Sequence, residues 1–195
     1  MTIGVETDSL VSLSNYGCLK SNGYTEAIIR AYQSVNRVDP NFSASAQNAQ
    51  NAGLPVDALI TATWQTPATA AADVAQRIKD YQLTVQTTWL FTEAPGNYWG
   101  PNTNDNRTVL TNLVKACKAA GLTVGIYTSV SYWEQNFGTD FTDHSTLPLL
   151  YGHYDALRDF NDFTPFGGWT SATRKAYNGD THQCNTDVVS FTWRP

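Results

Sequence analysis

Charge is what this chain has least of. Only 15% of its 195 residues are Asp, Glu, Lys or Arg, and 12 basic residues face 17 acidic ones for a net charge of -5. No basic run occurs, which excludes partners held through clustered cations, namely nucleic acid and anionic membrane surfaces. No apolar stretch is long enough to span a bilayer. No Gly-rich phosphate loop follows any strand-like run, so a nucleotide-binding reading is weak. No G-x-S-x-G elbow is present and no Cys/His pair stands out. The three cysteines, Cys18, Cys117 and Cys184, fit no metal-ligand spacing. No metal and no cofactor is expected. No signal peptide is read within the chain, so either a cytosolic protein or a mature secreted form is expected. Two sequons, Asn41-Phe42-Ser43 and Asn106-Arg107-Thr108, favour the secreted case weakly.

What the chain does have is apolar and aromatic matter. Hydrophobic residues make up 42% and aromatics 12%, which argues against disorder and suits one domain with a full core. Strand-like runs alternate with helical patterns over most of the length. Strands are expected at Ile3–Glu6, Ala27–Tyr32, Val56–Thr63, Val85–Thr92 and Leu122–Tyr127. Helices are expected within Ser9–Gly23, from Asp39 to Asn51, after Thr66-Pro67 and from Asn104 to Ala120. This rhythm means a parallel sheet with crossovers, either doubly wound or closed into a barrel. From 128 onward the sequence reads as loop-rich and aromatic, with short apolar runs at Leu147–Tyr151 and Val188–Phe191. Cys117 falls on the apolar face of the helix from Asn104 and is expected to be a buried free thiol. For Cys18 and Cys184 the sequence alone leaves a bridge and two free thiols equally open.

The candidate chemistry is carboxylate chemistry. Thr87 to Gly100 begins as a buried strand, puts Glu93 at its carboxyl end, and turns at Pro95-Gly96 into Tyr98-Trp99-Gly100. In α/β barrels that end of the strands is where chemistry is done. Glu6 ends the first strand in the same way. Inward-facing acids at strand ends suit glycoside hydrolysis, which needs an acid and a nucleophile or base. The plainer reading is that such acids cap helices or pair with Arg30 and Lys175. Asp57 and Asp155 are further candidates. His144, His153 and His182 are scattered and read as surface or packing residues.

Several stretches, in chain order, resemble the glycoside hydrolase family 25 lysozymes, in particular their nematode and amoebal branch: Gly4-Val5-Glu6, Cys18-Leu19-Lys20 with Gly23-Tyr24, Ala27 to Ser34, Tyr98-Trp99-Gly100, Val124 to Ser129, His153-Tyr154-Asp155, Phe160 to Trp169, and Tyr177 with Gly179-Asp180 and Cys184. The resemblance implies an irregular single-domain β/α (TIM-like) barrel over 1–195, a Cys18–Cys184 bridge, and cleavage of the bond from muramic acid to glucosamine in peptidoglycan or a related glycan. A secreted or lumenal location, as a mature form lacking its signal peptide, is expected. Glu93 and Glu6 are the implied catalytic carboxylates. Tyr32, Trp89, Tyr98, Trp99, Tyr127, Tyr151, Tyr154 and Asp155 are the implied glycan-binding residues.

The chain departs from the family where the acids should be. The family's fourth strand ends Trp-Leu-Asp-Ile-Glu; here it reads Trp89-Leu90-Phe91-Thr92-Glu93, so Phe91 stands in for an aspartate. Side chains alternate along a strand, so positions 91 and 93 face the same way. The family's late aspartate is expected at Val189, with Asp187 nearby. Losing one electrostatic partner in a dry site costs on the order of 10²–10³ in rate. Three functions therefore stand side by side: a lysozyme-like pseudoenzyme that keeps a groove for a glycan or a protein partner, a working glycosidase using Glu93 and Glu6, and a non-enzymatic scaffold. A monomer is expected in each case.

Overall fold

Strand and helix alternate as the hydrophobic pattern requires, and the computed structural model describes residues 1–195. The strands are β1 (Thr2–Thr7), β2 (Glu26–Gln33), β3 (Arg37–Val38), β4 (Val56–Ala62), β5 (Val85–Thr92), β6 (Val124–Thr128), β7 (Leu149–Gly152), β8 (Arg174–Gln183) and β9 (Thr186–Arg194). The helices are α1 (Leu13–Ser21), α2 (Phe42–Asn51), α3 (Thr69–Asp80), α4 (Thr103–Ala119) and α5 (Val130–Phe137). The sheet runs β1-β9-β8-β7-β6-β5-β4-β2-β3, and a further β1–β2 pairing closes it. Because β3 pairs only with β2, the other strands form a closed eight-stranded barrel. Closure resolves the choice between barrel and open sheet that the alternation left open.

The barrel is irregular at one strand. Strands β1, β2 and β4 to β8 run parallel, whereas β9 is antiparallel to both β8 and β1. Strand β9 can run backwards because β8 and β9 form a hairpin, joined by Cys184 and Asn185 at φ 52° and 53°. Two successive left-handed residues make the tight turn whose twist matches paired strands. The hairpin tip is fastened to α1 by the Cys18–Cys184 disulfide. Ser12 caps α1, accepting from Asn15 N at 3.2 Å, and Gly23 turns the chain out at φ 94°.

Two separate apolar bodies follow from the strand period. Outward residues such as Val5, Ile29, Ile60, Leu90 and Ile126 pack with the helices into one large core. Inward residues Ile28, Leu59, Trp89, Tyr127, Leu150 and Ala176 fill the barrel itself. Trp89 occupies so much of that interior that a Cβ on Gly125 would come 2.4 Å from its ring. At the amino-terminal end the interior is polar. Trp89 Nε1 donates to Asp57 (2.9 Å), and Arg174 donates to Glu26 (3.1 Å) and lies 3.4 Å from Asp57. Asp57 thus belongs to a buried network at the end opposite the strands' carboxyl termini. Cys117 is a buried free thiol, as its place on α4 indicates.

The region after 128 differs from the loop-rich expectation. It contributes α5 and three of the barrel strands. Helix α5 opens at Ser129, whose hydroxyl accepts from Tyr132 N, and β8 was hidden by its polar, alternately exposed sequence Arg174–Gln183. The second sequon is closed in the folded chain: Asn106 is buried and its amide donates to Gly100 O (2.9 Å) and Asn136 O (2.8 Å).

Candidate functional site

The carboxyl ends of β1, β2, β5, β6 and β7 surround a mouth that holds both predicted acids. A hollow of about 330 Å³ there is lined by Phe91, Tyr127, Ser129, Tyr132, His153 and Tyr154, among others. Glu93 follows β5 and is half-buried. Its backbone is pinned by Asn136 of α5, whose amide donates to Glu93 O at 2.8 Å. Asn136 in turn receives Asn106 of α4 on its own carbonyl. Two buried amides therefore fix the acid's strand end to the helices outside the barrel. Burial raises the Glu93 carboxyl above its ordinary range, while the Tyr98 phenol and the Arg30 charge hold it down.

Glu6 is 6% exposed on β1 and accepts a hydrogen bond from the Ser190 hydroxyl of β9. Burial pushes its carboxyl up to about 7; the Ser190 bond opposes this, Asp8 and Glu93 add to it, and Arg30 lowers it. Glu93 thus acts on Glu6 across the mouth, and Arg30 lowers both carboxyls. Arg30 is itself oriented by Asp8 (2.9 Å) and Asp39 (2.8 Å). Tyr127 is buried beneath, and its hydroxyl meets that of Tyr154 at 2.9 Å. Burial raises both phenols, Tyr154 to about 12, so both are neutral hydrogen-bonding groups at ordinary pH.

Glu93, Glu6, Phe91, Tyr98, Tyr127 and Tyr154 are thus brought together. The other predicted residues stand elsewhere. Tyr32 packs outside the barrel in the large core, where burial and the Asp73 charge raise its phenol. Trp89 fills the barrel lower down. Trp99 is 1% exposed and set edge-on to Phe137. Tyr151 is buried against Phe163 and Phe166. Asp155 accepts from Lys175 Nζ at 2.7 Å, the ion pair that the plainer reading of these acids anticipated. Val189 is part-exposed on β9, and Asp187 sits at the hairpin tip with His182 at 2.9 Å. Sequence reasoning did not single out Ser190, Asp8 or Asp39, because these short polar residues acquire their roles only through partners distant in the chain.

One cluster has metal-ligand composition. Donor atoms of His153, Asp155 and Asp162 lie within 4.8 Å of one another. The Lys175 ammonium already sits on both carboxylates, at 2.7 and 2.8 Å, with its side chain wholly buried. It supplies the positive charge a metal would bring, and the cluster reads as an internal ion-pair network.

Comparison with known proteins bears on the family and the fold. The family described as Lysozyme-like protein 1 matches residues 1–177. Probable GH family 25 lysozyme 2 of Dictyostelium discoideum is 37% identical, over 98% of this chain and 90% of its own. Among solved structures, a muramidase from Trichobolus zukalii superposes with a TM-score of 0.76 at 18% identity, covering 100% of this chain and 94% of that one. The modular Cpl-1 endolysin, complexed with a peptidoglycan analogue, gives a TM-score of 0.67 at 16% identity, over 98% of this chain and 53% of that one.

Proposed function

Since the chain belongs to the lysozyme-like family that includes the glycoside hydrolase family 25 lysozymes, we propose that it is a secreted or lumenal glycan-binding protein of that family with weak or lost muramidase activity. The observation that carries this is Phe91. It stands two residues before Glu93, where the family aims a second carboxylate, and its ring is stacked on Tyr127 with centroids 4.3 Å apart. An aromatic pair offers a sugar ring an apolar face but gives a developing oxocarbenium ion no negative charge. The other acid at the mouth, Glu6, is buried, bonded to Ser190 and raised to about 7, so below that pH it is neutral and equally unable to supply the charge. The aromatic lining and the Cpl-1 likeness support peptidoglycan or a related glycan as the ligand.

A second reading has one observation in its favour: Glu6 and Glu93 belong to the same strand-end mouth, and the Glu93 charge helps to raise the Glu6 carboxyl. It makes the protein a working glycosidase with Glu93 as general acid and Glu6 as the second carboxylate. One experiment separates the two. Turbidity and reducing-sugar assays on peptidoglycan and chitin are run beside calorimetric binding of soluble fragments, with Glu93→Gln as control. Binding without turnover supports the first reading. Clear lysis that Glu93→Gln abolishes replaces it with the second. Neither binding nor lysis leaves a scaffold.

A further inference from the structure

The two Asn-x-Ser/Thr triplets, Asn41-Phe42-Ser43 and Asn106-Arg107-Thr108, are treated oppositely by the fold. Asn106 is 1% exposed, and its Nδ2 donates to both Gly100 O (2.9 Å) and Asn136 O (2.8 Å). A sugar on that nitrogen would replace one of its two hydrogens and lie where the chain is packed. It would also disturb Asn136, which holds Glu93 O at 2.8 Å. Asn106 therefore has no room for a glycan in the folded protein. Asn41 is placed otherwise. It precedes α2 as its N-cap and is part-exposed, beside the exposed Pro40. Its backbone is held: the N–H donates to Asp39 Oδ1 (2.9 Å), and the carbonyl accepts from Ser45 N (3.0 Å). Its side chain makes no capping bond to α2, although Asn is a residue type that commonly makes one. The fold leaves this amide unused.

Ser43 supplies an independent observation. It is 4% exposed, and its Oγ has no hydrogen-bond partner. A buried hydroxyl without a partner costs stability. Alanine, which α2 already carries at Ala44, Ala46 and Ala49, would fill the position without that cost and with better helix propensity. The hydroxyl thus serves nothing in the folded chain. It has a use in the unfolded one, where N-glycosylation requires a hydroxyl two residues after the asparagine. The Cys18–Cys184 bridge fits the oxidising lumen in which that modification is made.

We propose that Asn41 is an N-glycosylation site and that Asn106 is not. The donor is a lipid-linked oligosaccharyl diphosphate, acted on by the lumenal transferase before the chain folds. Asn41 Nδ2 attacks C1 of the first sugar. The C–N bond forms, the bond from C1 to the diphosphate oxygen breaks, the lipid diphosphate leaves, and the amide releases one of its two protons. Helix α2 begins near the carboxyl end of β2, where Asp39 N donates to Ala31 O at 2.8 Å. The oligosaccharide therefore stands at the mouth end of the barrel, on the flank where Asp39 orients Arg30. This rests on the secreted or lumenal part of the reading above and not on its glycan-binding part.

The test uses the full chain, sent into the secretory pathway of a eukaryotic cell by an added leader, beside native protein from the cells that make it. Intact mass is read before and after peptide N-glycosidase in heavy-oxygen water, which labels the freed position, and peptide mapping locates the label. The expected result in both is a single mass step that maps to Asn41. Asn41→Gln and Ser43→Ala should each lose the step entirely, Ser43→Thr should keep it, and Thr108→Ala should leave it unchanged. Asn41→Gln and Ser43→Ala made in bacteria, without glycan, should melt no lower than the parent, so that a lost step reads the triplet and not a failure to fold. A step that survives Ser43→Ala, or one that maps to Asn106 in folded, secreted protein, overturns the proposal. Native protein recovered from the medium or a lumenal fraction without any step also overturns it and leaves the secreted reading intact. Native protein recovered from the cytosol overturns both.

Discussion

The ring of Phe91 lies over that of Tyr127, centroids 4.3 Å and planes 26° apart, at the strand end that also carries Glu93. Tyr127 cannot move aside easily, since its hydroxyl is tied to Tyr154 and its ring is buried. The stack therefore occupies the place a carboxylate would need. Phe91→Asp should restore a charge beside Glu93 and raise lysis of peptidoglycan by about tenfold or more. Loss of the stack should cost about 1–3 kcal/mol of stability. Turbidity assays and urea melts measure the two effects. An unaltered chain that already lyses walls efficiently, and is slowed by Phe91→Asp, would contradict this role for the aromatic ring.

Glu6 predicts a pH dependence of stability. Its carboxyl rises from an ordinary 4.5 to about 7 in the folded chain, chiefly through burial. The folded state therefore holds a proton that the unfolded state has released between those values. The resulting stabilisation is complete below about pH 4.5 and is lost as pH rises through 7, on the order of 3 kcal/mol in all. Glu6→Gln should flatten that decline and be no less stable than the parent at pH 7.5. Thermal melts from pH 4.5 to 8 are the measurement, and an unchanged slope in the variant would refute the assignment.

Lys175 predicts the opposite trend. Its buried ammonium joins Asp155 and Asp162; although burial acts to raise these carboxyls, their bonds and attraction to Lys175 hold them below the ordinary 3.8. Lys175→Met leaves two carboxylates facing each other without a cation, a loss of about 2–4 kcal/mol at pH 7. A depressed carboxylate stabilises above its unfolded value and ceases to as pH falls through its folded one. The gap between variant and parent should therefore narrow below about pH 4. Urea unfolding at pH 7 and pH 3.5 tests this.

The Cys18–Cys184 bridge closes a separation of 166 residues. By chain entropy such a loop is worth about 5 kcal/mol at most. Reduction, or Cys18→Ala, should lower the melting temperature and free the hairpin tip, where Asn15 holds Asn185 O at 3.2 Å. Hydrogen exchange should rise first at 183–186. Equal melting curves with and without reductant would show that the hairpin's own pairing suffices.

How much of this was legible beforehand depended on the range of the interactions involved. The strands at Ile3, Ala27, Val56, Val85 and Leu122 and the helix from Asn104 carry strong periodicity, and periodicity is local. Strands β8 and β9 do not: Lys175 and Arg174 are buried only because acids from elsewhere meet them. The disulfide came from family resemblance and not from spacing. Glu93, Glu6 and Phe91 were readable as a strand-end set, because alternation places 91 and 93 together. Tyr32, Trp99 and Tyr151 were not separable from Tyr98 and Tyr154, since an aromatic beside a strand end can turn to the helices as readily as to the mouth. The Ser190 bond to Glu6 spans 184 positions, and nothing local announces it.

That bond also sets an order in time. A chain made from its amino terminus presents Glu6 near the start and Ser190 near the end, and the strand that separates β1 from β8 is the last to emerge. Until then the sheet has two open edges, each able to recruit a stranger's strand. The mouth therefore has no half-built version. A nascent chain halted before Ser190 already holds both acids and every aromatic of the mouth, yet lacks the strand that closes the ring and the hydroxyl that steadies Glu6.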